Sequence, residues 1–170
     1  MALLEWMDAM AVDVPAMDAT HQEFVVLLQA LEVATDGELV DRYVELLTHT
    51  DAHFAREDAW MQATGFAASN CHSLQHKMVM DVLREGERRG RAGDLEVLRV
   101  IARELAQWFP QHTDAMDAAL AQHLKRTGFD TASGALAHPE ALPRAELHGC
   151  GGATCTDPEE LAPAATGAAS

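Results

Sequence analysis

The stretch His53-Phe54-Ala55-Arg56-Glu57-Asp58-Ala59-Trp60-Met61 decides the fold. His53 and Glu57 are four residues apart, one helical turn, so both point to the same side of a helix. Phe54, Trp60 and Met61 give that helix an apolar side, continued upstream by Tyr43, Leu46 and Leu47. The pattern predicts a helix from about Leu39 to Ala63, closed by Thr64-Gly65 with the glycine in the C-cap role.

The same design recurs outward from this stretch. His72 and His76 repeat the four-residue interval on a helix that starts near Ser69 or Asn70 and runs to about Arg89. Val79, Leu83 and Gly86 extend its inner stripe. Upstream, His21, Phe24, Leu28 and Leu31 mark one face of a helix that starts at Asp18 or Thr20, both good N-caps, and stops near Thr35-Asp36-Gly37. Residues 1–17 read as irregular. Downstream, Asp94 caps a fourth helix that reaches about Lys125, with Leu98, Ile101, Leu105, Trp108 and Phe109 inside and His112 and Asp117 further along. Four amphipathic helices with short connections predict an all-α, antiparallel up-and-down four-helix bundle over residues 1–127. No stretch alternates with a period of two, so no sheet is expected. Residues 128–170 are rich in Ala, Gly, Pro, Thr and Ser without a period, and are expected to form a flexible tail.

Composition narrows the function. The chain has 170 residues, 48% of them apolar, enough for one core. Its net charge of −15 disfavours nucleic acid and anionic membrane surfaces as partners. No apolar run approaches the roughly 20 residues of a membrane helix, and no secretory signal is visible. A cytoplasmic location is the expectation, and there Cys71, Cys150 and Cys155 form no disulfide framework.

Nine histidines stand against a single tyrosine. His21, His53, Glu57, His72, His76, His112 and Asp117 all lie on or beside apolar stripes, so five imidazoles and two carboxylates would converge inside the bundle. Leaving them there without partners would cost several kcal/mol. Metal coordination is the simplest way to satisfy them. Imidazole with carboxylate suits iron, manganese or zinc better than calcium or magnesium. Seven donors exceed one tetrahedral zinc and suit two metals bridged by the carboxylates.

The ordered set His21-Gln22, His53-Phe54-x-x-Glu57 with Met61, His72-x-x-x-His76 and His112-x-x-x-x-Asp117 resembles the hemerythrin family in its bacterial single-domain form, over about residues 1–127. The resemblance implies two iron ions with an oxo or hydroxo bridge. His72, His76 and His112 would hold one iron, and His21 and His53 the other. Glu57 and Asp117 would bridge them. The iron with two histidines would keep an open position for dioxygen, bound end-on. The implied function is reversible dioxygen binding for storage, transport or delivery, without enzymatic turnover. Oxygen or redox sensing, a di-iron redox enzyme acting on peroxide or nitric oxide, and iron storage are the alternatives.

Other residues read as structural. His49 is expected to be surface or a cap partner, His123 and His138 to be exposed, and Asp114 to face solvent. Leu28, Phe24, Trp6, Trp108 and Met80 are read first as core. The spacing of five between His112 and Asp117 is a difficulty, because it sets the two side chains about 140° apart on a regular helix. Either they straddle the inner face or the helix is distorted, and Pro110 offers a reason for distortion.

Overall fold

The structure is a computed structural model that describes residues 2–66, 70–145 and 147. A short 3₁₀ turn, Asp8–Met10, precedes helix α1, Pro15–Glu32. The helix starts earlier than Asp18 or Thr20. Pro15 occupies its first turn, where a missing N–H is no loss and the fixed φ is already helical. Asp18 instead accepts the Val12 N–H at 2.8 Å and pins the entering segment.

Helix α2, Leu39–Ala63, has the expected bounds. Gly65 follows in a left-handed conformation, φ +90°, and lets the Phe66 N–H reach back to the Met61 carbonyl at 2.9 Å. Helix α3, Cys71–Arg91, is capped by Asn70, whose side chain accepts the Ser73 N–H at 2.9 Å. Helix α4, Leu95–His112, is capped by Asp94 through the Val97 N–H and passes through Pro110. It continues as a π-helical segment, Thr113–Asp117, and then as α5, Ala118–Thr127, which ends at Gly128 with φ +59°.

The helices close into a ring. α1 packs on α2, α2 on α3, α3 on α4, and α4 back on α1. The connections are short, so neighbours run antiparallel, as an up-and-down bundle requires. Among the described residues there are no strands, only isolated bridges at Phe66–Leu147 and Phe129–Leu136. No helix there is long and apolar enough to cross a membrane.

The core has two apolar regions. The larger holds Phe24, Leu28, Leu31, Tyr43, Leu46, Phe54, Met80, Leu83, Leu98 and Phe109. The smaller holds Val14, Met17, Met61, Phe66, Leu120 and Leu124. Phe24, Leu28 and Met80 are therefore core, with Trp6 and Trp108 packed against it as partly buried residues.

Beyond α5, residues 129–145 turn back along the bundle. Their ties include Ala137 N–H to the Gly128 carbonyl and His138 N–H to the Thr127 carbonyl, and further on Leu147 N–H bonds the Gly65 carbonyl. The rest of the expected tail, residue 146 and residues 148–170, lies outside the described residues.

Candidate metal centre

On α1, on α2 and along the run from α4 into α5 the polar donors fall between the two apolar regions, while α3 adds apolar residues to the larger region alone. On α1, His21 stands between Met17 and Phe24; on α2, Glu57 stands between Phe54 and Met61. His112 and Asp117 stand between Phe109 and Leu120, and on α3 His72 and His76 precede Met80. Helical periodicity thus puts one polar layer across a dry bundle. All seven of the expected residues are buried in it, at 3% exposure or less.

The distances sort the layer into two groups. Glu57, His72, His76, His112 and Asp117 bring one donor atom each within 4.8 Å of one another, and so do His21, His53 and Glu57. Each carboxylate addresses both groups with separate oxygens. Glu57 Oε1 lies 3.0 Å from His53 Nε2 and 3.9 Å from His21 Nε2. Its Oε2 lies 3.5 Å from His72 Nε2 and 3.4 Å from His76 Nε2. Asp117 Oδ2 lies 3.3 Å from His21 Nε2, while Oδ1 lies 3.0 Å from His72 Nε2 and 3.2 Å from His112 Nε2.

Apart from the hydrogen bond between His53 Nε2 and Glu57 Oε1, proximity does not amount to hydrogen bonding here. Among the described residues, the Nε2 atoms of His21, His72, His76 and His112, Glu57 Oε2 and both oxygens of Asp117 are buried without a hydrogen-bond partner. Orphaned buried polar atoms are rare in folded proteins and costly. Here they converge, and the set is nitrogen and carboxylate oxygen, the donors of a transition-metal site. The residues therefore fit a bound metal.

The electrostatics of the metal-free layer agree. Burial disfavours the charged form of His72, but Asp117 and Glu57 beside it outweigh that and raise it to about 9. His21 is raised by the same competition, with Asp117 overcoming its burial. His112 is lowered, because burial wins. Burial and Asp117 push Glu57 upward, yet the surrounding histidines hold it well below the usual carboxylate range. Protons and imidazoles occupy the role that a cation would fill.

The five-residue spacing has a local solution. The Ala118 N–H bonds to the Thr113 carbonyl, an i→i+5 bond. The wider π turn brings His112 and Asp117 to one side, and such segments frequently mark functional sites. The distortion lies after Pro110 and not at it. Asp114, inside the π turn, is exposed as expected.

Some expectations need correction. His123 is buried and not exposed: its Nε2 bonds the Thr64 carbonyl at 2.7 Å, and Arg126 reaches its Nδ1 at 2.7 Å. It ties α5 to the end of α2 and belongs to neither donor group. His138 is exposed. His49 bonds the Thr20 carbonyl at 3.1 Å and stays out of both donor groups. Cys71 is disulfide-bonded, contrary to the reading of the cysteines; Cys150 and Cys155 lie outside the described residues.

Two residues around the site were not visible in the sequence. Asp58 Oδ1 accepts from His76 Nδ1 at 3.0 Å, and Gln75 Oε1 meets His112 Nδ1 at 3.1 Å. Each sits next in sequence to a donor (Glu57 and His76), so helical phase turns it about 100° away from the layer. Only the position of the neighbouring helix makes it a partner.

Comparison with known proteins gives one family. The Hemerythrin HHE cation binding domain matches residues 12–124, which include all seven donors. The chain is 36% identical over 130 residues to a bacteriohemerythrin of Ralstonia nicotianae, covering 76% of this chain and 95% of that protein. It is 27% identical over 132 residues to a bacteriohemerythrin of Stenotrophomonas maltophilia, covering 74% and 84%. No solved structure matches it significantly. A match across most of the chain, a four-helix bundle and a buried His/Glu/Asp layer agree: the chain belongs to the hemerythrin family and is a metal-binding protein of bacterial type.

Proposed function

We propose that this chain holds two iron ions and binds dioxygen reversibly at one of them, for storage, transport or delivery. The observation that carries the reading is the division of labour within each carboxylate. Glu57 and Asp117 each turn one oxygen to the His21–His53 side and the other to the His72–His76–His112 side. That is the arrangement two bridging carboxylates need between two metals.

The two sides are unequal. His72, His76 and His112 would hold one ion, and His21 and His53 the other, which keeps room for an added ligand. When bound, the ferrous pair supplies the electrons that dioxygen binding draws on. The protein's own part is to position donors and exclude water. Phe109 meets the His21 ring edge-on at 5.3 Å and stacks on Phe24 at 4.5 Å, so apolar rings shield the open side. A dry surround of this kind would limit proton access to ions held there. Five imidazoles to two carboxylates is a nitrogen-rich set. It holds less anionic charge than ferritin-like di-iron bundles, where carboxylates predominate, and so favours reversible binding over oxygen cleavage and turnover.

The test is the absorbance spectrum of the anaerobically iron-loaded protein, before air, after air and after argon purging. A near-ultraviolet and visible band that appears with air and fades under argon is the expected result. Immediate irreversible oxidation would replace the carrier reading with redox chemistry. Steady consumption of peroxide with a reductant would make it an enzyme.

A further inference from the structure

Two of the buried histidines are gripped in the same way. The His76 ring lies flat on Phe54, with centroids 3.9 Å apart and planes 5° apart, and its Nδ1 faces Asp58 Oδ1 at 3.0 Å. Phe54 and Asp58 are one turn apart on α2, so a single helix face holds both the face and the edge of a ring that belongs to α3. The His112 ring lies on Trp108, one turn earlier on α4, at 4.3 Å and 27°, and its Nδ1 faces Gln75 Oε1 from α3 at 3.1 Å. In both cases Nε2 is left pointing into the donor layer without a hydrogen-bond partner.

The acceptors differ in charge: a carboxylate on His76, an amide on His112. Across the layer, His21 Nδ1 is buried with no partner among the described residues. Two rings of the three-histidine side, His76 and His112, thus have an outer acceptor that His21 lacks.

We propose that Asp58 and Gln75 are positioning residues for the three-histidine subsite. Each accepts the Nδ1 proton of a ring already held flat by an aromatic side chain, which fixes the tautomer with the Nε2 lone pair toward the metal. Asp58 adds negative charge, which makes His76 the stronger donor and favours the ferric state of the ion it touches. An acceptor behind a ligating imidazole raises its basicity and orients it, and loss of such a partner weakens metal binding about 10- to 100-fold. The proposal rests on the two-iron reading above.

The test uses the full chain loaded anaerobically with ferrous iron. Iron content, the rate of iron loss to a strong ferrous chelator and the midpoint potential are measured for wild type, Asp58→Ala, Asp58→Asn and Gln75→Ala. Circular dichroism of the metal-free forms checks the fold. Asp58→Ala is expected to lose one of its two irons about 10- to 100-fold faster than wild type. Asp58→Asn, which keeps an acceptor, is expected to restore the slow loss while its midpoint potential stays above that of wild type. A purely structural role would move the metal-free melt and leave the potential alone. Wild-type iron loss and potential in a folded Asp58→Ala, or in a folded Gln75→Ala where Asp58→Ala does not fold, overturn the proposal. A wild-type chain that takes up fewer than two irons overturns the two-iron reading instead, and the proposal with it.

Discussion

At the scale of single residues, the metal competes with protons. His72 in the metal-free layer is raised to about 9 by Asp117 and Glu57 against the effect of burial. Its ordinary value is 6.5. A raised histidine stabilises the metal-free fold fully below pH 6.5, and that contribution is lost as pH rises through about 9. A metal needs the neutral ring, so binding at pH 7 must expel this proton. Metal affinity is therefore expected to rise steadily between pH 6.5 and 9, while urea resistance of the metal-free chain falls over the same window. Zinc or ferrous titrations at several pH values measure the first, and urea midpoints the second; a flat affinity profile would sink the argument. The seven His, Glu and Asp residues that share the buried layer were legible as a set in the sequence because each sits on an apolar stripe, where a lone polar residue is conspicuous. Asp58 and Gln75 were not, since their contacts with His76 and His112 depend on where α3 and α4 come to lie. His123 was misjudged for a related reason: its partner, the Thr64 carbonyl, is a backbone group that no side-chain pattern announces.

At the scale of elements, two irregularities have opposite meanings. Pro110 lacks the N–H that the interior of α4 would use, which costs a helix about 3 kcal/mol. The π turn that aligns His112 with Asp117 closes through Thr113 and Ala118, beyond the proline. Pro110→Ala is thus expected to raise metal-free stability by about 1–3 kcal/mol while the chain still takes up the same metal. Equilibrium unfolding and metal analysis check both halves. Gly86 looks like the reverse case, since alanine is better by about 1 kcal/mol in a helix interior. Here, though, an added Cβ would collide with the Tyr43 hydroxyl and with Ile101 Cδ1. Tyr43 is fully buried and donates to the Leu83 carbonyl at 3.1 Å, so it has little freedom to yield. Gly86→Ala is expected to destabilise by about 1–3 kcal/mol, read as a lower urea midpoint. The helix bounds were largely legible, because Asn70, Asp94 and Gly65 are strong local signals. The start of α1 was missed because Asp18 and Thr20 read as better caps than the Pro15 start that the chain uses. The π turn was legible only as a difficulty in the spacing of two donors.

At the scale of the whole molecule, four-helix architecture follows from four apolar stripes and three short connections, and the sequence carried both. The return of residues 129–145 along the bundle was not legible, because it rests on backbone hydrogen bonds such as that of His138 to Thr127. Metal occupancy should register throughout the fold. At a free metal concentration one hundred times Kd, binding stabilises by about 2.7 kcal/mol. For a domain of this size that corresponds to about 5–11 °C in Tm. Chelation is expected to lower the melting temperature by that order, and a melt unchanged by chelator would contradict it. The polar layer between two apolar regions also bears on how the molecule breathes. Without metal, most of its Nε2 and carboxylate atoms lack a hydrogen-bond partner, whereas Tyr43, Leu83 and Leu98 are packed at 0% exposure. Amide hydrogens near His53, His76 and Asp117 should then exchange with solvent far sooner than those around Leu83. The interior of this bundle would open from its middle, leaving its larger apolar end as the last ordered remnant.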